Sequence, residues 1–139
     1  MNTTYIVTGI VVAVLVILFY KARARMKSIP LVADHQKILT LTDTNFKHQT
    51  QNKVMLVDFW ASWGAPCRVM APVLNDVADS LTGNLHVGKV NIEQYQSLAQ
   101  RFKVRSIPTL ILFKNGIEIK RFVGIKDRAY LIDQITNAR

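Results

Sequence analysis

Apolar positions fall into two regimes along the chain. From Thr3 to Tyr20 no residue is charged and most are Val, Ile or Leu, whereas from Ile38 onward apolar residues recur at helix or strand spacing between turn residues. The eighteen residues of the first run, at ~1.5 Å rise each, reach about 27 Å as a helix, close to the hydrocarbon thickness of a bilayer. Tyr5 and Tyr20 sit near its two ends, where amphipathic rings favour the membrane interfaces, and Lys21, Arg23, Arg25 and Lys27 follow at once. A cleaved secretory signal carries its charges before the apolar run, and here Ala22-Arg23-Ala24 lies inside the basic cluster, so the run reads as an uncleaved anchor. Cations on its C-terminal side predict a single-pass topology with the rest of the chain facing the cytoplasm; a periplasmic face is the alternative.

Between Met26 and Lys37 periodicity lapses around Pro30, which predicts a short tether. Residues 1–26 are thus read as an anchor with a basic flank, 27–37 as a linker and 38–139 as one globular domain. In the domain, Ile38–Leu41 predicts a strand, Thr42 or Asp43 the cap of a helix through Phe46, and Val54–Trp60 a strand interrupted only by Asp58. Val69, Met70, Val73, Leu74, Val77, Ala78 and Leu81 follow three- and four-residue spacing, so a helix starts near Pro66, with Pro72 inside it, and ends at Gly83-Asn84. Strands at Leu85–Ile92, Thr109–Lys114 and Ile117–Val123, a helix at Tyr95–Phe102, a hairpin at Asn115-Gly116 and a closing helix at Lys126–Ala138 complete the pattern. The order β-α-β-α-β-α-β-β-α makes an α/β fold, a central mixed sheet flanked by helices.

The net charge of +9 is +4 over residues 1–37 (five basic, one acidic) and +5 over the remainder (thirteen basic, eight acidic). Apart from Arg101, Lys103 and Arg105 the domain's cations are dispersed, a solvated surface and not a nucleic-acid interface. The juxtamembrane cations suit anionic lipid headgroups. Cys67 is the only cysteine, which excludes an intramolecular disulfide. His35, His48 and His86 lack ligand spacing and read as surface residues, so no metal and no cofactor is expected.

The candidate chemistry lies in Val57-Asp58-Phe59-Trp60-Ala61-Ser62-Trp63-Gly64-Ala65-Pro66-Cys67-Arg68, followed by Met70-Ala71-Pro72. With Val90-Asn91-Ile92-Glu93, Val104-Arg105-Ser106-Ile107-Pro108-Thr109, Phe113-Lys114-Asn115-Gly116 and Val123-Gly124, this segment resembles thioredoxin over most of the chain from Ile38. The resemblance implies a thioredoxin fold, a cis peptide before Pro108, and a groove for a substrate chain beside Trp63, Ala65, Pro66, Ile107, Pro108 and Gly124. It also implies that Asp58 is the proton acceptor for the resolving thiol, with Lys89 near that carboxylate. From its own surroundings, Asp58 in an apolar strand predicts a buried carboxyl with a raised pKa.

The family motif W-C-x-P-C is here Trp63-Gly64-Ala65-Pro66-Cys67. Gly64 stands where the nucleophilic cysteine belongs, and Cys67 stands at the resolving position. In a dithiol enzyme the first thiolate attacks a substrate disulfide and the second resolves the mixed disulfide. A single cysteine cannot store two electrons as its own disulfide, so turnover is expected to be weak or absent. Three readings of the cysteine stay open: a monothiol, a buried structural thiol, or a metal or iron–sulfur ligand in a dimer. The function is therefore read as a membrane-tethered thioredoxin-like oxidoreductase, the alternative being a redox-inactive module that binds a peptide or protein. An ordinary dithiol enzyme altered at Gly64 is a third reading. Expected partners are a protein or peptide with a thiol, disulfide or extended segment, the membrane through Thr3 to Tyr20, and a thioredoxin-reductase-like protein or small thiol as reductant.

Overall fold

The computed structural model describes residues 3–27 and 29–139; Met1 and Asn2 of the proposed anchor and Ser28 of the proposed linker lie outside them. Its chain divides into two units, residues 1–30 and Leu31–Arg139. The first is a helix, α1 (Thr3–Lys27), whose apolar side chains from Tyr5 to Tyr20 are exposed. Its stretch Thr3–Arg25 is long and apolar enough to cross a membrane.

The second unit runs β1 (Ile38–Thr40), α2 (Phe46–Thr50), β2 (Val54–Trp60), α3 (Ala65–Ser80), β3 (Leu85–Asn91), α4 (Gln96–Arg101), β4 (Thr109–Lys114), β5 (Ile117–Val123) and α5 (Arg128–Thr136). The five strands form one sheet in the order β1-β3-β2-β4-β5. β3 is parallel to β1 and β2, while β4 runs antiparallel to β2 and β5. This is the mixed sheet that the residue pattern predicts, in the thioredoxin fold that the resemblance implies. The hairpin between β4 and β5 turns through Asn115 and Gly116, both at positive φ (54° and 77°), the backbone such a tight connection demands.

Two cores form because side chains alternate across the strands. Val54 and Leu56 of β2 and Leu85 and Val87 of β3 face Met70, Leu74 and Val77 of α3 and Leu131 and Ile135 of α5. Met55, Val57 and Phe59 point the other way, into a cluster with Phe46, Leu98 and Phe113. Asp58 has the parity of Leu56, and Lys89 that of Val87. In the parallel register Asp58 lies opposite Lys89, so the pleat sends both toward the helix that carries Cys67.

The largest displacement of an element's start from its sequence reading is in α2. Instead of a helix capped at Thr42 or Asp43, residues 42–45 form a turn and α2 begins at Phe46. Thr42 N–H donates to Asn45 Oδ1 at 2.8 Å and Asn45 N–H to Thr42 Oγ1 at 3.3 Å. These short polar side chains compete for backbone groups that a helix would use. Asp43 accepts a hydrogen bond from Ser97 Oγ on α4.

Candidate functional site

The turn between β2 and α3 presents the motif. Glu93 Oε2 accepts from Ser62 N–H at 2.9 Å and from Ser62 Oγ at 2.8 Å, while Arg68 donates through Nε and Nη2 to the Ser62 carbonyl at 3.1 and 2.9 Å. Ser62 hydrogen bonds, the backbone one first, hold the Glu93 carboxyl below its ordinary range. Gly64 then serves as the N-cap of α3, and its N–H donates to the Ala61 carbonyl at 3.2 Å. Neither Glu93 nor Arg68 stands out in the sequence as a site residue, since an exposed acid and a helical arginine are ordinary surface choices.

Cys67 lies one turn into α3 and is only 4 % exposed. Burial pushes its thiol up; backbone hydrogen bonding at Ala61 opposes this, the nearby Asp58 adds to it and Lys89 counters. The space above the sulfur belongs to Gly64. A Cβ built on Gly64 would fall 2.9 Å from Cys67 Sγ, 3.0 Å from Ile107 Cδ1 and 3.4 Å from the Ala61 carbonyl oxygen. Across a disulfide, a Cβ and the far sulfur are about 3 Å apart, as follows from an S–S bond of ~2.05 Å. The backbone therefore holds residue 64 where a bridging partner to Cys67 would stand.

Around that point the remaining groove candidates assemble. Ile107–Pro108 is a cis peptide, with Pro108 buried and Ile107 half-buried. Gly124, at φ +81°, donates its N–H to the Pro108 carbonyl at 2.9 Å and so fastens the end of β5 to this loop; positive φ favours glycine there. Ala65 is half-buried and Pro66 exposed. Trp63 is 66 % exposed and borders a cleft of about 300 Å³ whose other walls include Ile92, Val104 and Ile107. Among the described residues, the backbone N–H and C=O of Ile107 make no hydrogen bond.

Beneath Cys67 lie the buried charges. Asp58 is 1 % exposed, and its Oδ1 has no hydrogen-bond partner. Burial raises its pKa from 3.8 to about 7, Lys89 pulling down and Asp34 pushing up. Lys89 is 5 % exposed; its ammonium sits 4.4 Å from the centroid of the half-buried Trp60 ring. Its ion pair is with Asp34 Oδ1, at 2.6 Å. Asp34 comes from the stretch that the sequence reads as tether, and a single acid in an aperiodic segment gives no signal that would have found it.

The histidines read as surface residues are all at least partly exposed, His48 the most. His35 and His86 are half-buried: His35 Nε2 is 3.5 Å from Asp79 Oδ1, and burial followed by Lys53 lowers the pKa of His86. Among the described residues, no three His, Cys, Asp or Glu side chains gather to hold a metal ion.

Comparisons with known proteins converge on one family. The Thioredoxin family model covers residues 37–137. The chain is 42 % identical over 100 residues to thioredoxin of Alicyclobacillus acidocaldarius subsp. acidocaldarius, spanning 71 % of this chain and 95 % of that protein. It is 41 % identical over 110 residues to thioredoxin of Mycobacterium tuberculosis H37Rv, spanning 76 % and 95 %. Among solved structures, a mutant thioredoxin from Halobacterium salinarum NRC-1 superposes with a TM-score of 0.68 at 31 % identity, covering 77 % of this chain and 95 % of that one.

Proposed function

The chain belongs to the thioredoxin family of thiol oxidoreductases, and on that premise we propose a membrane-tethered member whose dithiol turnover is weak or absent. The observation that carries this reading is the place of Gly64, in disulfide range of Cys67 and without a sulfur. A complete cycle passes two electrons to a substrate disulfide: one thiolate forms a mixed disulfide and frees the first substrate thiolate, and a second thiolate releases the other and leaves an enzyme disulfide. Cys67 can form at most the mixed disulfide, which then needs an external thiol, from a small molecule or a reductase-like protein, for release. Burial of the sulfur and its raised pKa suppress even that first attack. Asp58, buried and ionising at about 7, supports a reading in which it takes the proton of the Cys67 thiol, whose own ionisation it influences.

The full chain in detergent, assayed for insulin disulfide reduction with dithiothreitol, is expected to match a blank without protein. Robust reduction would sink the proposal and make Cys67 a working monothiol. Membrane tethering rests on α1, and Lys21, Arg23 and Arg25 on its C-terminal side support a cytoplasmic domain. Expressed in cells, the chain should stay with the membrane pellet after an alkaline carbonate wash; release into the supernatant would remove the anchor from the proposal.

A second reading, a module that holds an extended peptide or protein segment at the membrane, is favoured by the exposed Trp63 and by the unpaired backbone groups of Ile107. Main-chain pairing of this kind recognises a strand-like segment without chemistry at the sulfur.

A further inference from the structure

Four charged or ionisable groups meet under α3, and the register alone does not explain how they are paired. Asp58 and Lys89 are neighbours across β2 and β3, yet the 2.6 Å ion pair joins Lys89 to Asp34 and leaves Asp58 Oδ1 without a hydrogen-bond partner. Asp34 is held in place independently of that pair. Asn75 of α3 accepts from His35 N–H at 2.8 Å through Oδ1 and donates to the Ala33 carbonyl at 2.9 Å through Nδ2, and Lys37 Nζ donates to the Asp79 carbonyl at 2.8 Å. The residues on either side of Asp34 are thus clasped to the helix that carries Cys67, while its carboxylate, with a side chain 38 % exposed, reaches a lysine that is itself buried.

We propose that Asp34 is a positioning residue for this site: by taking the Lys89 ammonium for itself, it fixes the charge state of Asp58 from the segment that joins the domain to α1. The groups facing Asp58 are Lys89 from β3, Cys67 from α3 and Asp34 from the segment, while β4 brings only Leu110 opposite it. With Lys89 committed to Asp34, its positive charge is shared between two acids, and the negative charge of Asp34 weighs against ionisation of Asp58. Removing that charge frees the ammonium for Asp58 and favours the carboxylate. The link to the reaction rests on the reading of Asp58 as the proton holder beside Cys67; the pairing does not.

The test is a carboxyl titration by NMR on the full chain in detergent micelles, labelled with carbon-13 aspartate. In Asp34→Asn the Asp58 signal should titrate about one pH unit lower than in the unmodified chain, a tenfold change in proton affinity. Asp34→Glu, which keeps the carboxylate, should restore most of the original midpoint, and Asp76→Asn, which removes an exposed charge elsewhere on α3, should leave it unmoved. An unchanged Asp58 midpoint in Asp34→Asn overturns the proposal, as does an equal shift in Asp76→Asn. The pH profile of disulfide reduction in a Gly64→Cys background separates the two readings. If the Asp58 titration moves with Asp34→Asn and that profile does not, the coupling stands and the proton role of Asp58 falls.

Discussion

Gly64→Cys is expected to turn the full chain into a disulfide reductase at least about 100-fold faster than the unmodified protein, because the second thiol is then held beside the first instead of arriving from solution. The geometry asks for little adjustment. The new Cβ lands 2.9 Å from Cys67 Sγ, a clash for two unbonded atoms and the ordinary spacing across a disulfide. The other close neighbour, Ile107 Cδ1 at 3.0 Å, is the end of a flexible side chain. At the N-cap of α3 the introduced thiol also meets the positive end of the helix, which favours its thiolate. Cys67, deeper and pushed toward the neutral thiol, would act second. Initial rates of insulin reduction with dithiothreitol decide the matter: a folded Gly64→Cys chain that stays at the blank would show that more than one sulfur has been lost.

The second large effect is on stability and has a defined pH signature. A carboxyl that ionises at about 7 when folded and at its ordinary 3.8 when unfolded keeps its proton better in the native state. The native state therefore binds more protons between those values, and its stability falls as pH rises from about 4 to about 7. The separation corresponds to roughly 4 kcal/mol. Asp58→Ala abolishes this penalty and leaves a small cavity costing about 1 to 2 kcal/mol. The variant should be about 2 kcal/mol more stable at about pH 8 and about 1 to 2 kcal/mol less stable than the unmodified chain at about pH 4. Urea unfolding followed by tryptophan fluorescence suits the measurement, since Trp60 and Trp63 both belong to the domain. Equal stability changes at the two pH values would show that Asp58 is not held protonated by burial.

What can be read in the sequence is whatever a periodic or exceptional residue marks. Asp58 announces its burial because it is the one acid in a strand whose other members are apolar. Asn115-Gly116 fixes a hairpin because few other pairs accept two positive φ angles, and α3 declares its inner face by spacing alone. Trp63-Gly64-Ala65-Pro66-Cys67 shows the missing nucleophile directly. The start of α2 is misread because Thr42 and Asn45 serve a turn as readily as a cap. Burial of Lys89 is not legible, since a lysine in an alternating strand looks like a surface residue until a ring and a carboxylate are known to wait for it. Asp34 and Glu93 act through contacts distant in sequence, to Lys89 and to Ser62, and no local pattern encodes such pairs.

The clasp of Asn75 on Ala33 sets the length of the leash. Fully extended, the chain from Lys27 to Ala33 spans about 20 Å, against roughly 37 Å if it ran loose as far as Ile38. On the proposed anchoring by α1, the shorter free length would limit how far the domain strays from the lipid surface. Proteins that share the membrane or dock on its surface would meet the Trp63 groove at high local concentration, while those diffusing in bulk would meet it rarely.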